Sequence, residues 1–236
     1  MKNKNKIKIQ ERKKLYTMFI LDRSGSMESV RLPTIESING YIESLRNDAK
    51  KNEIDIFCTL LMFDSRGADS FHFSYVNSPL ASIKNITTED YVPSGGTPLR
   101  DAIGHGIRKI QETLGDSIGS DEVNILVTIF TDGQENSSTE YSHAQIAQMI
   151  KHLGSDKKWT FTFMGCGGIQ EVQAYANTLN ICNNNTRCYD GSVAGLKGSM
   201  KKIVYSTSNY VSSLSSGEDV TADFFSSAER KEEKKA

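Results

Sequence analysis

Hydrophobic residues occur in two distinct patterns along this chain, and the two patterns alternate from one end to the other. Short continuous apolar runs are typical of strands buried on both faces of a sheet, whereas apolar residues spaced three and four apart are typical of amphipathic helices. The runs predict strands at residues 15–21, 54–63, 123–130 and 159–164, with a shorter strand near 187–189. The helical spacing predicts helices near residues 30–50, 98–114, 142–153, 169–179 and 192–214.

The segment at residues 71–76 interrupts this alternation, because it is strand-like and follows another strand. The connection from the strand at 54–63 is too short for the crossover that a parallel neighbour requires, so we expect an antiparallel partner. Elsewhere the alternation favours a mostly parallel sheet covered by helices. The sequence therefore predicts an α/β fold: a Rossmann-like, doubly wound, mostly parallel central sheet with one antiparallel edge strand and helices on both faces.

Composition divides the chain into a central domain and two polar ends. Residues 1–13 are rich in lysine and predict a flexible basic arm. Residues 216–236 are rich in serine, glutamate and lysine and predict a disordered tail, with a short helix near 228–234. Residues 14–215 then form one domain, which is large enough to fold without a disulfide. We interpret the four cysteines as reduced thiols.

Charge and hydropathy narrow the class of partners. Lysine and arginine number 28 and aspartate and glutamate number 29, and a net charge of −1 argues against a dedicated nucleic-acid binder. No apolar stretch approaches the roughly 20 residues needed to cross a bilayer, and the first apolar run lacks the features of a secretory signal. We therefore expect a cytoplasmic protein that binds neither nucleic acid nor membranes.

Candidate chemistry begins directly after the first predicted strand, in the sequence Asp22-Arg23-Ser24-Gly25-Ser26. A carboxylate and two hydroxyls alternate there, and hard divalent cations such as Mg²⁺ prefer oxygen ligands of both kinds. The glycine between the serines lets the loop turn tightly enough for these oxygens to converge. The same pattern is also that of a helix N-cap, because aspartate and serine are favoured capping residues.

Two later segments each place one further oxygen beside a predicted strand or helix end. Thr97 lies in a Gly-Gly-Thr-Pro turn at the start of the helix near 98–114, and Asp132 follows the most apolar run of the chain. Each has an ordinary alternative, since a threonine before proline can cap a helix and Asp-Gly is a common turn dipeptide. Three such coincidences, all at predicted strand or helix ends, favour a shared metal site instead.

The three segments together resemble the metal-ion-dependent adhesion site (MIDAS) of the von Willebrand factor A (VWA) domain family. The family pattern is Asp-x-Ser-x-Ser, then a threonine in a Gly-Gly-Thr-Pro-like turn, then the aspartate of Thr-Asp-Gly. The five positions are filled here, in the family order, by Asp22, Ser24, Ser26, Thr97 and Asp132. The resemblance covers roughly residues 14–215 and implies the VWA fold, including its antiparallel edge strand.

The resemblance also implies a function. In this family, a metal ion held by such residues often takes its sixth ligand from an aspartate or glutamate of a partner protein. The likeness is to the intracellular members of bacteria and their phages, including those associated with tellurium resistance, which act beside AAA+ ATPases, kinases or phosphatases. We therefore expect a metal-dependent protein-binding adaptor or scaffold module that binds Mg²⁺ or Mn²⁺ in preference to Ca²⁺.

The predicted sheet gives a physical reason for a site at the same place. Ligands of open α/β sheets bind outside the carboxyl ends of the strands, where the strand order reverses. If the strands at 15–21 and 123–130 are central neighbours, Asp22 and Asp132 lie side by side there. Five side chains leave one position of a near-octahedral cation open to an external anionic oxygen. We expect direct contact from the three hydroxyls, while contact by the carboxylates is open between direct and water-mediated.

Charged residues near these segments are further candidates, each with an ordinary alternative. Asp101 could orient the site or simply favour the start of a helix, and Asp64 could approach the site or end a strand in a turn. Glu135 could line the rim of the site. Arg23 and Arg100 flank the metal loops, so they are the first candidates for contacts to an acidic partner, with ordinary solvated charge as the alternative.

Catalysis is the main competing class of function. A Mg²⁺-dependent phosphoryl-transfer hydrolase of the haloacid-dehalogenase type also begins with an aspartate after its first strand. It needs a second carboxylate two residues later, where this chain has Ser24. The sequence contains no P-loop and no serine nucleophile elbow, and neither serine of the first loop has a neighbouring base. We therefore expect no enzymatic activity and keep that hydrolase, or a secreted adhesin, as alternatives.

Overall fold

The computed structural model describes residues 12–218 and 223–225, in which a six-stranded sheet carries helices on both faces. The strands are β1 (Lys14–Asp22), β2 (Asp55–Phe63), β3 (Phe71–Pro79), β4 (Val123–Thr131), β5 (Trp159–Cys166) and β6 (Thr186–Tyr189). Their order across the sheet is β3-β2-β1-β4-β5-β6. Neighbouring strands are parallel except β2 and β3, which are antiparallel, as their short connection predicted.

The helices in the described ranges divide between the two faces of the sheet. They are α1 (Arg31–Asn52), α2 (Leu99–Leu114), α3 (His143–Gly154), α4 (Ile169–Thr178) and α5 (Val193–Ser215), with short 3₁₀ turns between some of the elements. Apolar residues of α1 and α5 join the hydrophobic cluster on one face, and those of α2, α3 and α4 join the cluster on the other. The predicted α/β fold class, a doubly wound sheet with one antiparallel edge strand, is therefore confirmed.

The central strand β1 shows why the apolar runs are continuous. Successive side chains point to opposite faces of a sheet, so Phe19 and Leu21 enter one cluster while Met18 and Ile20 enter the other. All four side chains are almost completely buried. A strand covered by helices on both faces has no polar side, so its sequence shows no alternation of polar and apolar residues.

Local capping helps to fix the helix ends close to the predicted positions. Ser142 and Gln145 form a reciprocal capping box at the start of α3, and Ser192 accepts a hydrogen bond from Gly195 N at the start of α5. α1 stops where Glu53 adopts the left-handed conformation, with φ of 52°. The observed ends lie within two residues of the predicted ones, apart from β3, which continues to Pro79.

β1 and β4 are adjacent in the middle of the sheet, and the strand order reverses between them. From β1 the chain proceeds outward through β2 and β3, and it then returns so that β4 lies on the other side of β1. Asp22 is the last residue of β1 and Asp132 directly follows β4. Both aspartates therefore lie at the carboxyl ends of the two strands between which the strand order reverses, and α/β sheets bind ligands at this place.

The two polar ends of the chain lie mostly outside the described residues. The predicted arm at 1–13 is described only at Arg12 and Lys13, and the helix expected near 228–234 lies wholly outside. The domain limits at residues 14 and 215 thus stay predictions. None of the helices in the described ranges combines the length and the hydrophobicity that a membrane span requires.

Residues 223–225, from the segment predicted as a tail, pack against the domain. Phe224 and Phe225 are buried, and the Phe224 ring lies 5.9 Å from the ring of Tyr210 on α5. Phe224 N donates to Asn185 Oδ1 at 2.9 Å. The hydrophobic core of this face therefore includes side chains that lie beyond the end of α5.

Candidate metal site

Asp22, at the end of β1, is completely buried, and its carboxylate is held at both oxygens. Oδ1 accepts from the backbone N–H of Ser24 at 2.7 Å, and Oδ2 accepts from Thr131 Oγ1 at 2.5 Å. The Tyr91 hydroxyl donates to the carbonyl oxygen of Asp22 at 2.6 Å. Groups from three separate parts of the chain thus fix both the side chain and the backbone of this residue.

A chain of hydrogen bonds leads from the loop after β1 to the loop after β4. Ser24 Oγ and Ser26 Oγ are 3.1 Å apart, and Ser26 Oγ donates to Asp132 Oδ1 at 2.7 Å. Ser24 is buried, Asp132 is half-buried and Ser26 is exposed, so this row of oxygens extends from the interior to the surface. The expectation that neither serine has a neighbouring base is wrong for Ser26, because its hydroxyl contacts a carboxylate.

Thr97 reaches the same place from the turn that precedes α2, and it is buried. A Cβ placed on Gly133 would lie 3.0 Å from Thr97 Oγ1 and 3.8 Å from Ser26 Oγ, so the three residues meet around the backbone of Gly133. Thr97 N donates to Asn136 Oδ1 at 2.8 Å, and Asn136 N donates to the Thr97 carbonyl oxygen at 3.2 Å. The fold therefore brings all five predicted ligand residues to one edge of the sheet.

Backbone hydrogen bonds hold the first loop against the turn that precedes α2. Gly25 N donates to the Gly95 carbonyl oxygen at 3.0 Å, and Ser94 N donates to the Arg23 carbonyl oxygen at 2.9 Å. Gly95 has a φ of 69°, and a Cβ there would lie 2.8 Å from Ser65 Oγ, so both conformation and space require glycine. The protein itself therefore positions the two loops that carry the hydroxyls.

The two helix-cap alternatives do not describe this arrangement. Ser24 precedes a 3₁₀ turn (Gly25–Val30), but its side chain makes no capping hydrogen bond. Pro98, and not Thr97, occupies the N-cap position of α2, and no side-chain cap is formed there either. The hydroxyls of Ser24 and Thr97 are thus not used to cap helices.

Arg23 does not neutralise the site, although it follows Asp22 directly in the sequence. Its Nε donates to Asp64 Oδ2 at 2.7 Å, and its Nη2 donates to the carbonyl oxygen of Asp69 at 2.9 Å. Arg66 forms a second ion pair with Asp64 at 2.8 Å. Only 4% of the Arg23 side chain is exposed, so the expectation that Arg23 contacts a partner is wrong. The carboxylate of Asp64 is likewise occupied by two arginines and not by the site.

Asp22 and Asp132 have no basic ion-pair partner among the residues that the structure describes. Burial raises the pKa of Asp22 to about 6, and the hydrogen bonds from Thr131 and Ser24 lower it only in part. Burial likewise raises the pKa of Asp132. A buried carboxylate without a countercharge is unfavourable, so a bound cation would relieve a conflict that the fold leaves in place.

The chemistry of the donor set fits a hard divalent cation. It consists only of carboxylate and hydroxyl oxygens, which are ligands that Mg²⁺ and Mn²⁺ accept. Within residues 12–218 and 223–225, no group of three or more His, Cys, Asp or Glu side chains could hold a metal. An ion at this edge would therefore depend on the hydroxyl ligands as much as on the two carboxylates.

The other charged candidates shape the loop after β4. Asp101 is buried and accepts hydrogen bonds from the backbone N–H groups of residues 139–141 at 2.7–3.2 Å. Glu135 accepts from Arg100 N at 2.9 Å and from Ser138 N at 2.8 Å. Arg100 Nη2 lies 3.7 Å from Glu135 Oε1 and donates to the Ser138 carbonyl oxygen at 3.3 Å. Asp101 and Glu135 thus fix this loop, and a partner contact by Arg100 stays a prediction.

Three residues that hold the site were not found by sequence reasoning. Thr131 and Tyr91 both donate to Asp22, and Asn136 exchanges two hydrogen bonds with Thr97. The role of Thr131 could have been predicted from its position at the end of the most apolar strand, because a hydroxyl buried there needs a hydrogen-bond partner. Tyr91 and Asn136 lie in irregular segments, where the spacing of side chains carries no periodic information.

Comparison with known sequences gives a limited likeness. No family model matches this chain. Among curated proteins, the chain is 32% identical over 121 residues to the magnesium-chelatase 67 kDa subunit of Heliobacterium mobile. The match covers 50% of this chain and 16% of that subunit, so half of this chain resembles a small part of a much longer protein.

Solved structures share the fold at low sequence identity. The SpRpn10 VWA domain has a TM-score of 0.53 at 11% identity, covering 79% of this chain and 93% of that one. The pilus adhesin SpaC from Lactobacillus rhamnosus GG, in its open conformation, has a TM-score of 0.61 at 10% identity. This match covers 86% of this chain and 30% of the adhesin. Proximal thread matrix protein 1 from the mussel byssus, with a zinc-occupied MIDAS motif, has a TM-score of 0.53 at 11% identity. This match covers 85% of this chain and 46% of the mussel protein.

These structural likenesses establish the VWA fold for this chain, as the motif resemblance implied. At such low identity they show the fold alone. The chain spans less than half the length of the adhesin and of the mussel protein. The zinc ion and the MIDAS motif of the mussel structure are properties of that protein.

Proposed function

We propose that this domain binds Mg²⁺ or Mn²⁺ at the carboxyl edge of β1 and β4 and, through the ion, binds a carboxylate of a partner protein. The residues proposed to hold the ion are Asp22, Ser24, Ser26, Thr97 and Asp132. The observation that carries this conclusion is the convergence of their oxygens beside a buried carboxylate that has no basic partner among the described residues. The VWA fold, with a MIDAS motif in one solved relative, supports the same assignment.

Each part of the site has a distinct role in this function. Asp22 supplies negative charge at the buried end, where two hydrogen bonds fix its orientation. Ser26 and Asp132 lie nearer the surface, where a partner can approach. A divalent cation held by five side chains would offer one remaining position to an anionic oxygen. An aspartate or glutamate of the partner is the protein group that fits this position.

Binding, and not catalysis, is the activity that these residues support. Position 24 is a serine where a haloacid-dehalogenase-type hydrolase needs its second carboxylate. Ser26 donates to Asp132, but that carboxylate would hold the ion and would then not be free to act as a base. None of the three solved relatives described above has the name of an enzyme.

We further propose that the domain is a cytoplasmic adaptor, acting beside an AAA+ ATPase, kinase or phosphatase. The motif resemblance to intracellular bacterial and phage members supports this role. The four cysteines are free, which is in keeping with a reducing compartment. A secreted adhesin is the second candidate, and the fold that the chain shares with the SpaC adhesin is the observation that favours it.

Isothermal titration calorimetry with MgCl₂ and with MnCl₂ tests ion binding. Asp132→Ala removes a half-buried ligand and should abolish the binding heat, with the circular dichroism spectrum unchanged. Asp116→Ala is the matched control, because Asp116 is an exposed carboxylate on the 3₁₀ turn that follows α2. Equal binding by the Asp132→Ala variant and the wild type would refute the assignment.

Chelation tests the role of the ion in partner binding. The immobilised domain should capture a protein from lysate in MgCl₂ and release it in EDTA, because the partner carboxylate binds through the ion. The Asp132→Ala variant should capture nothing under either condition. Capture that is the same with and without chelator would contradict a metal-bridged contact and would favour a scaffold in which the metal residues have no binding role.

A further inference from the structure

A cavity of about 350 Å³ opens beside the proposed ion site, between the loop after β4 and helix α4. We call it the α4 cavity, and the lining residues that matter here are Asp132, Glu135, Phe163, Glu171, Val172 and Tyr175. Asp132 belongs both to this cavity and to the proposed ion site. A group in the α4 cavity would therefore lie next to a carboxylate bound at the ion, so one partner segment can occupy both places.

Glu171 gives the α4 cavity a negative charge that no residue in the described part of the chain balances by an ion pair. It lies in the first turn of α4, is exposed, and forms no ion pair with another residue in the described part of the chain. Its carboxylate lies over the turn before the helix, since a Cβ placed on Gly167 would be 3.7 Å from Glu171 Oε2. Arg100, whose charge acts on the neighbouring Tyr175, is already engaged with Glu135 and with the Ser138 carbonyl oxygen.

Tyr175 adds a polar group that lacks a partner. Its hydroxyl is buried, and no described residue forms a hydrogen bond with it. Burial raises the pKa of Tyr175 to about 12, so the phenol stays protonated at neutral pH, with an oxygen that can accept a hydrogen bond. Its ring lies 5.7 Å from the ring of Phe163, and together with Val172 these rings form an apolar wall of the cavity. Buried polar groups are normally paired, so an unpaired hydroxyl beside a cavity points to a ligand.

We propose that the α4 cavity binds an arginine side chain of the same partner that presents a carboxylate to the ion. This inference rests on the proposed function and names the chemistry of the partner. The methylene groups of an arginine pack on the apolar wall formed by Phe163 and Val172, while the guanidinium pairs with the Glu171 carboxylate through two parallel N–H donors. A remaining N–H group donates to the Tyr175 hydroxyl oxygen.

Arginine fits this set of groups better than other side chains do. Lysine offers a compact charge without the planar fork that matches a carboxylate and stacks on aromatic rings. An acidic side chain would be repelled by Glu171 and by Asp132. An aliphatic side chain would cover the apolar wall but would leave Glu171 and the Tyr175 hydroxyl without partners. The domain thus selects partners in which an acidic residue and an arginine lie close together.

Short synthetic peptides test this selection by NMR titration, which detects even weak binding. The probes carry one aspartate and one arginine that are one, two or three residues apart. Matched probes replace the arginine with citrulline, which keeps the shape and removes the charge, or replace the aspartate with asparagine. In MgCl₂, the best arginine probe should bind the wild type about fivefold more tightly than its citrulline counterpart, as expected for an ion pair with an exposed carboxylate.

Variants of the cavity identify the residues responsible. Glu171→Gln should remove the difference between arginine and citrulline probes and leave the Mg²⁺ affinity unchanged. Tyr175→Phe should reduce the same difference by a smaller factor. Glu112→Gln is the matched control, because it removes an exposed negative charge near the far end of α2, about 20 Å along the helix from the site. This control should keep the full difference.

The outcomes separate the two levels of the inference. Equal binding of arginine and citrulline probes, still dependent on Mg²⁺ and on the aspartate, would overturn the arginine assignment and leave the proposed function intact. A difference that survives Glu171→Gln would also overturn it. Absence of Mg²⁺-dependent binding for every probe would overturn both the arginine assignment and the carboxylate-binding function.

Discussion

Replacing Asp22 with asparagine separates the two consequences of its burial, which are the instability of the metal-free domain and the affinity for an ion. The asparagine has the same shape, and its Oδ1 can accept from Ser24 N as the carboxylate does. Its Nδ2 can donate to Thr131 Oγ1, because the Thr131 hydroxyl proton can turn to the Gly133 carbonyl oxygen at 3.0 Å. The variant therefore keeps the hydrogen bonds and loses the charge.

The raised pKa of Asp22 sets the size of the effect on stability. A rise in pKa from 3.8 to about 6 on folding corresponds to a loss of about 3 kcal/mol of folding free energy once the carboxyl is ionised. Because the pKa is raised, this loss is absent well below pH 3.8 and grows as the pH rises through about 6. Asp22→Asn should therefore stabilise the metal-free domain by up to about 3 kcal/mol near neutral pH, and by little near pH 4.

Added Mg²⁺ should reverse this ranking. An ion that binds only the folded domain stabilises it by about 4 kcal/mol at roughly a thousand times its Kd. The asparagine variant should gain none of this stabilisation, because its side chain no longer offers a negative charge to the ion. The wild type should therefore be the less stable protein in EDTA and the more stable protein in saturating MgCl₂.

Urea unfolding between about pH 4 and pH 8, in EDTA and in MgCl₂, measures both effects. Asp48→Asn is a matched control, since burial also raises the pKa of Asp48, which accepts from Ser208 Oγ at 2.7 Å and lies on α1. It should show the same sign of pH dependence and keep the full response to Mg²⁺. A metal-free Asp22→Asn variant that is less stable than the wild type at neutral pH would refute the reasoning about charge. A response to Mg²⁺ as large as that of the wild type would refute the ligand role of Asp22.

Three further substitutions test separate features of the structure. Gly133→Ala places a Cβ 3.0 Å from Thr97 Oγ1, so calorimetry should show Mg²⁺ binding about tenfold weaker, a loss of roughly 1.4 kcal/mol; unchanged affinity would contradict the position of Thr97. Arg23→Met removes one of the ion pairs of buried Asp64 and should lower the urea-unfolding free energy by about 3 kcal/mol; a change near zero would show that the pair is not buried in solution. Phe225→Ala should lower the unfolding free energy by about 3 kcal/mol with Mg²⁺ affinity unchanged, and no loss would mean that this residue does not pack on the domain.

The strands of the sheet centre could be predicted from the sequence because burial on both faces leaves a continuous apolar run. The edge strand β3 was found only in part. Its alternation of side chains is regular over 71–76, but the strand continues to Pro79 through Asn77, which has a φ of 43°. The pairing with β2 shifts register between Cys58 and Leu61, so side-chain periodicity is lost where the strand becomes irregular.

The proposed ligands could be identified as residue types, but the groups that hold them could not. Arg23 shows the reason. Because it follows Asp22 in the sequence, we expected Arg23 at the surface of the site, whereas its side chain is buried against Asp64. Asp22 lies opposite Phe63 in the register of β1 and β2, so Arg23 and Asp64, the residues directly after these strands, are neighbours. Their ion pair follows from this register, which the sequence alone does not give.

The buried Arg23–Asp64 pair and the uncompensated Asp22 are two results of the same strand end. Successive residues of an extended chain point in opposite directions, so the fold can pair Arg23 with the end of β2 while Asp22 faces the edge shared with β4. If the guanidinium had turned to Asp22 instead, it would have neutralised the carboxylate and excluded a cation. The packing of the rest of the domain thus holds Asp22 in an unfavourable ionised state, which a bound divalent cation would relieve. For this reason, substitutions of Asp22 should change the Mg²⁺ affinity, the unfolding free energy and its pH dependence together. A substitution of Asp22 that changed only one of these properties would show that the ion binds at another place.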